Sequence, residues 1–211
     1  TTNHCLGLLA VSRHGLTEVE LTEMLTNEGC IDGGAGWYVL QDALQPYIIK
    51  RFCDRTTVLA LESNSLRDSI LSCSKDTIRA WRVSLLSYLG ILDLSSAPGQ
   101  PNLRVLSEVP YHQLELGKWE AVYALVCNLR YVELCCDARR HQNLVDFYKA
   151  TLTLAPADKP ALRRGFTEYY SFFLRNIDVI PDHPFMTTQQ ALLEPKDSLP
   201  YKHATIGKAR E

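Results

Sequence analysis

Six histidines and seven cysteines are the residues of this chain best equipped for nucleophilic or metal chemistry, and their spacing argues against both. Cys5, Cys30, Cys53, Cys73, Cys127, Cys135 and Cys136 include no C-x-x-C pair, and no two Cys or His residues recur at the spacing of a zinc site. We therefore expect no metal. Scattered thiols in odd number fit reduced, mostly buried cysteines and a cytoplasmic protein better than a disulfide framework. No G-x-S-x-G nucleophile motif is present. "DGGAGW", 32–37, lacks the Lys and hydroxyl of a phosphate loop, so the chain by itself should hold no triphosphate. His112, in "VPYHQLELG", sits within a strong helical pattern and reads as a hydrogen-bonded structural histidine. We expect no catalytic residue.

The elements around these residues are mostly helical. A first helix covers about 3–12, and Gly15 suits a left-handed cap beyond it. In "RHGLTEVELTEML", Thr17 and Glu20 form a capping box, flanked by Leu16 and Leu21 as a hydrophobic staple. Glu18, Glu20 and Glu23 crowd the helix start, where the dipole favours carboxylates. "EGCIDGGAG" leads into a third helix that places Trp37, Leu40, Leu44 and Ile48 on one stripe and ends near Pro46. "IIKRFCDRTTVLAL" reads as one small hairpin turning at Asp54-Arg55. Three helices followed by a hairpin is the winged-helix order. Beyond residue 65 only helices are indicated: "LRDSILSC", "DTIRAWRVSLLSYLGIL", and segments at about 109–116, 118–129, 130–138, 141–154, 161–178 and 185–194. Trp119, Tyr123, Val126 and Tyr131, and then Phe166, Tyr169, Tyr170 and Phe173, read as core. "SSAPGQPN", 95–102, reads as a linker.

Charge decides whether such a winged helix reads DNA. Residues 1–95 carry eight Lys and Arg against eleven Asp and Glu, a net charge of −3, and "GWYVLQDALQPY" holds one Asp and no cation. Phosphate neutralisation needs the opposite balance. Lys50, Arg51 and Arg55 form a small basic cluster, a pattern more often solvated than functional. We expect a protein-packing module and no nucleic-acid partner. With no run of eighteen apolar residues and no signal-peptide pattern, no membrane partner is expected either. Thr1 in place of Met points to a piece of a longer protein.

"CLGLLAVSRHGLTEVELTEML" resembles the segment that follows the nucleotide-binding domain in the NACHT and WD-repeat proteins, multidomain signal-transduction ATPases. The resemblance continues in the same order through "LQDALQPYII", "NSLRDSIL", "VPYHQLELGKWEAV" and "YYSFFLRNIDVIPDHPFMTTQQALLEPKDS", and extends to the telomerase-associated vault protein and the nephrocystin-type repeat proteins. It implies a winged helix packed on an ATPase domain and a helical arm leading to WD or tetratricopeptide-like repeats. In that class ADP holds the winged helix against the ATPase core, and exchange for ATP releases it and permits assembly into a homo-oligomer. Such ATPases often carry a histidine before the helix that follows the wing, where it contacts the nucleotide's phosphates. The alignment puts Ser63 there, making it the nucleotide-sensor position and the one cofactor-site candidate.

The resulting expectation is a mainly α chain: winged helix with one small β-hairpin over 1–75, an α-solenoid-like helical arm over 76–194, and a polar tail or linker over 195–211. The expected role is non-catalytic, regulatory and scaffolding within a NACHT-type ATPase, with ATP or ADP bound only by the parent protein. The partners are then the upstream nucleotide-binding domain and downstream repeats of the same polypeptide. The alternatives are a winged-helix nucleic-acid binder and a stand-alone helical protein-interaction adaptor.

Overall fold

The computed structural model describes residues 1–97 and 100–208. They divide into two compact units, Thr1–Leu92 with Leu103–His112, and Asp93–Asn102 with the chain from Gln113 onward.

The first unit begins with α1 (Thr2–Val11), α2 (Glu18–Asn27) and α3 (Gly33–Leu44), followed by a 3-10 turn over Gln45–Tyr47 that contains Pro46. The hairpin is β1 (Ile48–Cys53) and β2 (Thr56–Leu61), antiparallel with Ile48 opposite Leu61 and Cys53 opposite Thr56. Leu16, between α1 and α2, adds a one-residue third strand. Its N–H donates to the Leu59 carbonyl at 2.9 Å and its carbonyl accepts from the Leu59 N–H at 2.7 Å. This order and pairing are those of a winged helix. Gly15 does adopt φ +99°, but α1 has already ended at Val11. The reason for glycine is the strand pairing: a Cβ there would stand 2.3 Å from the Leu59 carbonyl oxygen.

The capping box forms as its residues dictate, with the Glu20 N–H donating to Thr17 Oγ1 at 3.1 Å and the Thr17 N–H donating to Glu20 Oε2 at 2.7 Å. Leu16 and Leu21 are fully buried, as are Leu8, Leu25 and Leu44. Trp37 and Leu40 join this core, whereas Ile48 is the first residue of β1 and half-buried rather than an extension of the α3 stripe. At the hairpin tip Asp54 and Arg55 have φ +52° and +62°, the two left-handed positions of a type I′ turn. An L-residue other than Asn, Asp or Gly holds that conformation at a cost. Exposed Arg55 should therefore gain from Arg55→Gly, which we expect to raise unfolding stability by about 0.5–1 kcal/mol in urea denaturation. A lower stability would refute the turn assignment.

α4 (Asn64–Leu71) and α5 (Lys75–Leu89) pack against α1, and α6 (Leu103–Glu115) belongs to the same unit as far as His112. The first unit therefore runs well past residue 75. Trp81, Leu85 and Leu89 bury the inner stripe of α5, so the helix completes the winged-helix core instead of starting an arm. α6 also begins six residues before the expected 109, for a reason given below.

In the second unit, β3 (Ser95–Ala97) and β4 (Gln100–Pro101) pair antiparallel. The expected linker over 95–102 is thus a second, minimal hairpin, with Pro98 and Gly99 outside the described residues. The remaining elements are α7 (Trp119–Val126), α8 (Leu129–Asp137), α9 (His141–Leu154), α10 (Pro160–Arg175), a 3-10 turn over Pro184–Met186, α11 (Thr187–Ala191) and α12 (Leu199–Lys208). α7 packs on α8, α8 on α9, α9 on α10 and α11 on α12, and α10 also packs against α7 and α12 while α8 also meets α11. Tyr148, Phe166, Tyr169, Phe172 and Phe173 are fully buried, and Tyr131 and Val126 join them, with Trp119, Tyr123 and Tyr170 half-buried. Gly165 lets α10 approach α7, since a Cβ there would lie 2.2 Å from the Tyr123 ring. The polar tail expected over 195–211 is largely α12, which buries Ala204 and sets His203 Nδ1 2.5 Å from the Tyr169 hydroxyl; residues 209–211 lie outside the described residues. Among the described residues no helix is long and apolar enough to cross a membrane.

Candidate functional site

The most constrained chemistry of the first unit lies on α6, where Arg104, Glu108 and His112 recur every four residues and so share one helical face. All three are buried. The Arg104 guanidinium grips Glu20 with two bonds, Nε to Oε1 at 3.0 Å and Nη2 to Oε2 at 3.1 Å, and Nη2 also donates to the Gly15 carbonyl at 2.8 Å. Its Nη1 lies 3.4 Å from Glu108 and 3.7 Å from Asp54, whose carboxylate also accepts from the Ser107 hydroxyl at 3.2 Å. Glu108, wholly shielded from solvent, accepts from the backbone N–H groups of Arg13 at 2.9 Å and His14 at 3.1 Å, and from His112 Nε2 at 3.2 Å.

Charges survive burial only when so compensated. Burial works against the Glu108 carboxylate, yet the His112 hydrogen bond, the Arg104 charge and the Arg13 N–H together hold its pKa below the usual value. Burial likewise opposes the Arg104 cation, and Glu20, Glu108 and Asp54 outweigh it, leaving its pKa raised. His112 Nδ1 stands 3.5 Å from Arg82 Nη1. Arginine can only donate, so this contact assigns the ring proton to Nε2, facing Glu108. The Arg82 guanidinium also lies 5.2 Å from the Tyr111 ring centroid, within cation–π range. His112 is thus the hydrogen-bonded structural histidine its surroundings suggest, and the network is a clamp that seats α6 against the Gly15 turn, the start of α2 and the wing tip. The helix begins earlier than its apolar pattern because its first turns bury polar Arg104, Ser107 and Glu108 beside apolar Val105 and Leu106.

Ser63 is the N-cap of α4, its Oγ accepting from the Leu66 N–H at 3.1 Å. It lines a cavity of about 260 Å³ together with Arg13, His14, Arg51, Asn64 and Arg67. The cavity is cationic, and Arg67 donates through Nε to the Ala10 carbonyl at 2.8 Å and through Nη2 to the Ser12 carbonyl at 2.9 Å. Ser63 therefore sits among basic groups while its own oxygen serves the helix.

The third chemical surface is the outer side of α3. Trp37 and Leu40 face inward, and the Trp37 indole N–H donates to Glu18 Oε1 at 2.8 Å. Tyr38 and Val39 stand 72% and 76% exposed. Beside them a groove of about 460 Å³ runs between α3 and the hairpin, with Tyr38, Gln41, Asp42, Ile49 and Lys50 in its walls. Apolar and uncharged groups with one charge of each sign suit a protein surface better than a phosphate backbone.

The cysteines differ in burial. Burial pushes the Cys5, Cys135 and Cys136 thiols up to about 12 and raises Cys127 further, so at neutral pH these four are packing groups. Cys73 is exposed, and Cys30 and Cys53 are half-buried. No family model, curated protein or solved structure matches the chain.

Proposed function

We propose that this chain is a non-catalytic regulatory and scaffolding segment of a multidomain NACHT-type ATPase. Its winged helix packs on the nucleotide-binding domain, and its helical array connects that domain to repeats that follow. The observation that carries this reading is the outer face of α3: where a DNA reader needs cations, Tyr38, Val39 and Asp42 offer apolar surface and a carboxylate. A large exposed Tyr beside an exposed Val is an interface signal. In this reading the cationic cavity at Ser63 faces the nucleotide side, and ATP or ADP is held by the partner domain, with no hydrolysis by the chain alone. The resemblance in sequence order supplies the ATPase context.

The test is stopped-flow release of a fluorescent ADP analogue from the parent protein. Tyr38→Asp puts a charge into the docking face and should accelerate release about tenfold or more, equivalent to roughly 1.4 kcal/mol of lost contact. Unchanged release would overturn the docking assignment. For the isolated chain, anisotropy with DNA duplexes should show no tight, salt-steep binding, and such binding would favour a nucleic-acid reader instead. A second reading, a helical interaction adaptor, draws on the second unit, where exposed Phe185 and Ile206 border a groove of about 720 Å³. It predicts that Tyr38→Asp leaves nucleotide release untouched.

A further inference from the structure

Three residues distant in sequence meet at one corner of the first unit. His4 lies on the first turn of α1, Glu28 closes α2, and Cys30 lies in the segment that leads to α3. An imidazole nitrogen, a carboxylate oxygen and a sulfur, one from each, all lie within 4.8 Å of one another. We propose that His4, Glu28 and Cys30 form a binding site for a divalent transition-metal ion of the zinc class, with a fourth position open to water.

The donor set sets the class of ion. Zinc takes thiolate, imidazole and carboxylate together, whereas magnesium and calcium prefer all-oxygen shells. Geometry is the second argument. Bonds of about 2.0–2.3 Å in a tetrahedron put donors roughly 3.3–3.8 Å apart. His4 Nε2 and Glu28 Oε2 stand 2.5 Å apart and the full set spans no more than 4.8 Å. The ion therefore needs the His4–Glu28 contact to open and any wider gap to close by no more than about 1.5 Å, moves within reach of side-chain rotation.

The surroundings hold the donors in place. Ser84 on α5 hydrogen-bonds Glu28 Oε1, engaging one carboxylate oxygen while the other faces His4. Outer partners of this kind orient ligands and tune their affinity. The backbone of Cys30 is fixed on both sides: its N–H donates to the Leu25 carbonyl at 2.8 Å, and its carbonyl accepts from Thr1 Oγ1 at 3.2 Å. The side chains of His4 and Glu28 are 28% and 31% exposed, open enough for an ion to enter. Binding displaces the thiol proton and ties the start of α1 to the turn between α2 and α3, so it should raise the stability of this corner by linkage.

Cobalt(II) reports the site directly, because a thiolate bound to cobalt gives a near-ultraviolet charge-transfer band and a tetrahedral shell gives strong visible bands. Titration of the whole chain should saturate at one cobalt per chain, with a dissociation constant of about 10 μM or tighter. Zinc should bleach both bands and magnesium should not. Cys30→Ser should abolish the charge-transfer band, His4→Ala should weaken binding at least tenfold, and Cys73→Ser, at the exposed thiol elsewhere, should change neither. Zinc should raise the melting temperature of the wild type and leave that of Cys30→Ser unmoved. Absence of saturable cobalt binding would overturn the proposal and leave an ordinary His4–Glu28 ion pair. A charge-transfer band that survives Cys30→Ser would overturn it too, by placing the thiolate elsewhere.

Discussion

Glu108→Leu should destabilise the first unit by about 3–5 kcal/mol, the usual cost of removing one partner from a buried charge network. The leucine fits the space but accepts nothing, so the N–H groups of Arg13 and His14 and part of the Arg104 guanidinium are left buried without their carboxylate. Glu108→Gln keeps one acceptor oxygen and should cost less. The pH dependence separates charge from shape. Burial favours the protonated acid, but His112, Arg104 and the Arg13 N–H prevail, so the folded pKa is the lower one. A depressed folded pKa contributes stability that is complete above the unfolded value, about 4.3, and is lost as pH falls through the folded value. The gap between wild type and Glu108→Gln should therefore be constant near neutrality and narrow below about pH 4. Urea denaturation at several pH values, with hydrogen exchange at the Arg13 and His14 amides, measures it. A gap unchanged down to pH 3 would mean that Glu108 acts by shape alone.

This network also marks where sequence reading stops. The capping box at Thr17 and Glu20 is legible because both partners lie within one turn of helix, and the hairpin because its two-residue tip lies between β-favouring runs. The second role of Glu20, as the partner of Arg104, joins residues 84 positions apart, which no local pattern specifies. A signal did exist: Arg104, Glu108 and His112 at four-residue intervals, flanked by Val105, Leu106 and Val109, form a polar stripe inside an apolar helix. Such a stripe has to be paired or solvated, and the apolar flanks argue for paired. The spacing of His4, Glu28 and Cys30 carries no such hint, since only folding of the α1–α3 corner brings them together. Ser63 stands at a family position by alignment; what it does locally, capping α4, follows from its hydroxyl alone. The tail reads as polar because "LPYKHATIGK" has weak apolar contrast, and its helix depends on packing against α10 and α11.

Trp37→Ala should cost about 3–5 kcal/mol, the range for emptying a buried large aromatic site. Trp37 is 2% exposed on the inner side of α3, and its loss leaves a hole beside α2 and strands Glu18 without its indole donor. Tyr38, the next residue, is 72% exposed, and Tyr38→Ala should stay within about 0.5 kcal/mol of wild type. The contrast tests a helical period and a function at once. If α3 displays Tyr38 and Val39 to a partner because Trp37 seats the helix, Trp37→Ala should lose docking together with stability, whereas Tyr38→Asp should lose docking with an unchanged melting temperature. Trp37→Phe is the control: it retains most of the apolar volume, gives up the hydrogen bond to Glu18, and should recover more than half of the stability lost in Trp37→Ala while restoring partner contact. Unfolding curves for all four variants, beside nucleotide release from the parent protein, carry the comparison. If Trp37→Ala unfolds at the wild-type urea midpoint, Trp37 is not the residue that holds α3 against α2, and the assignment of inner and outer faces fails with it.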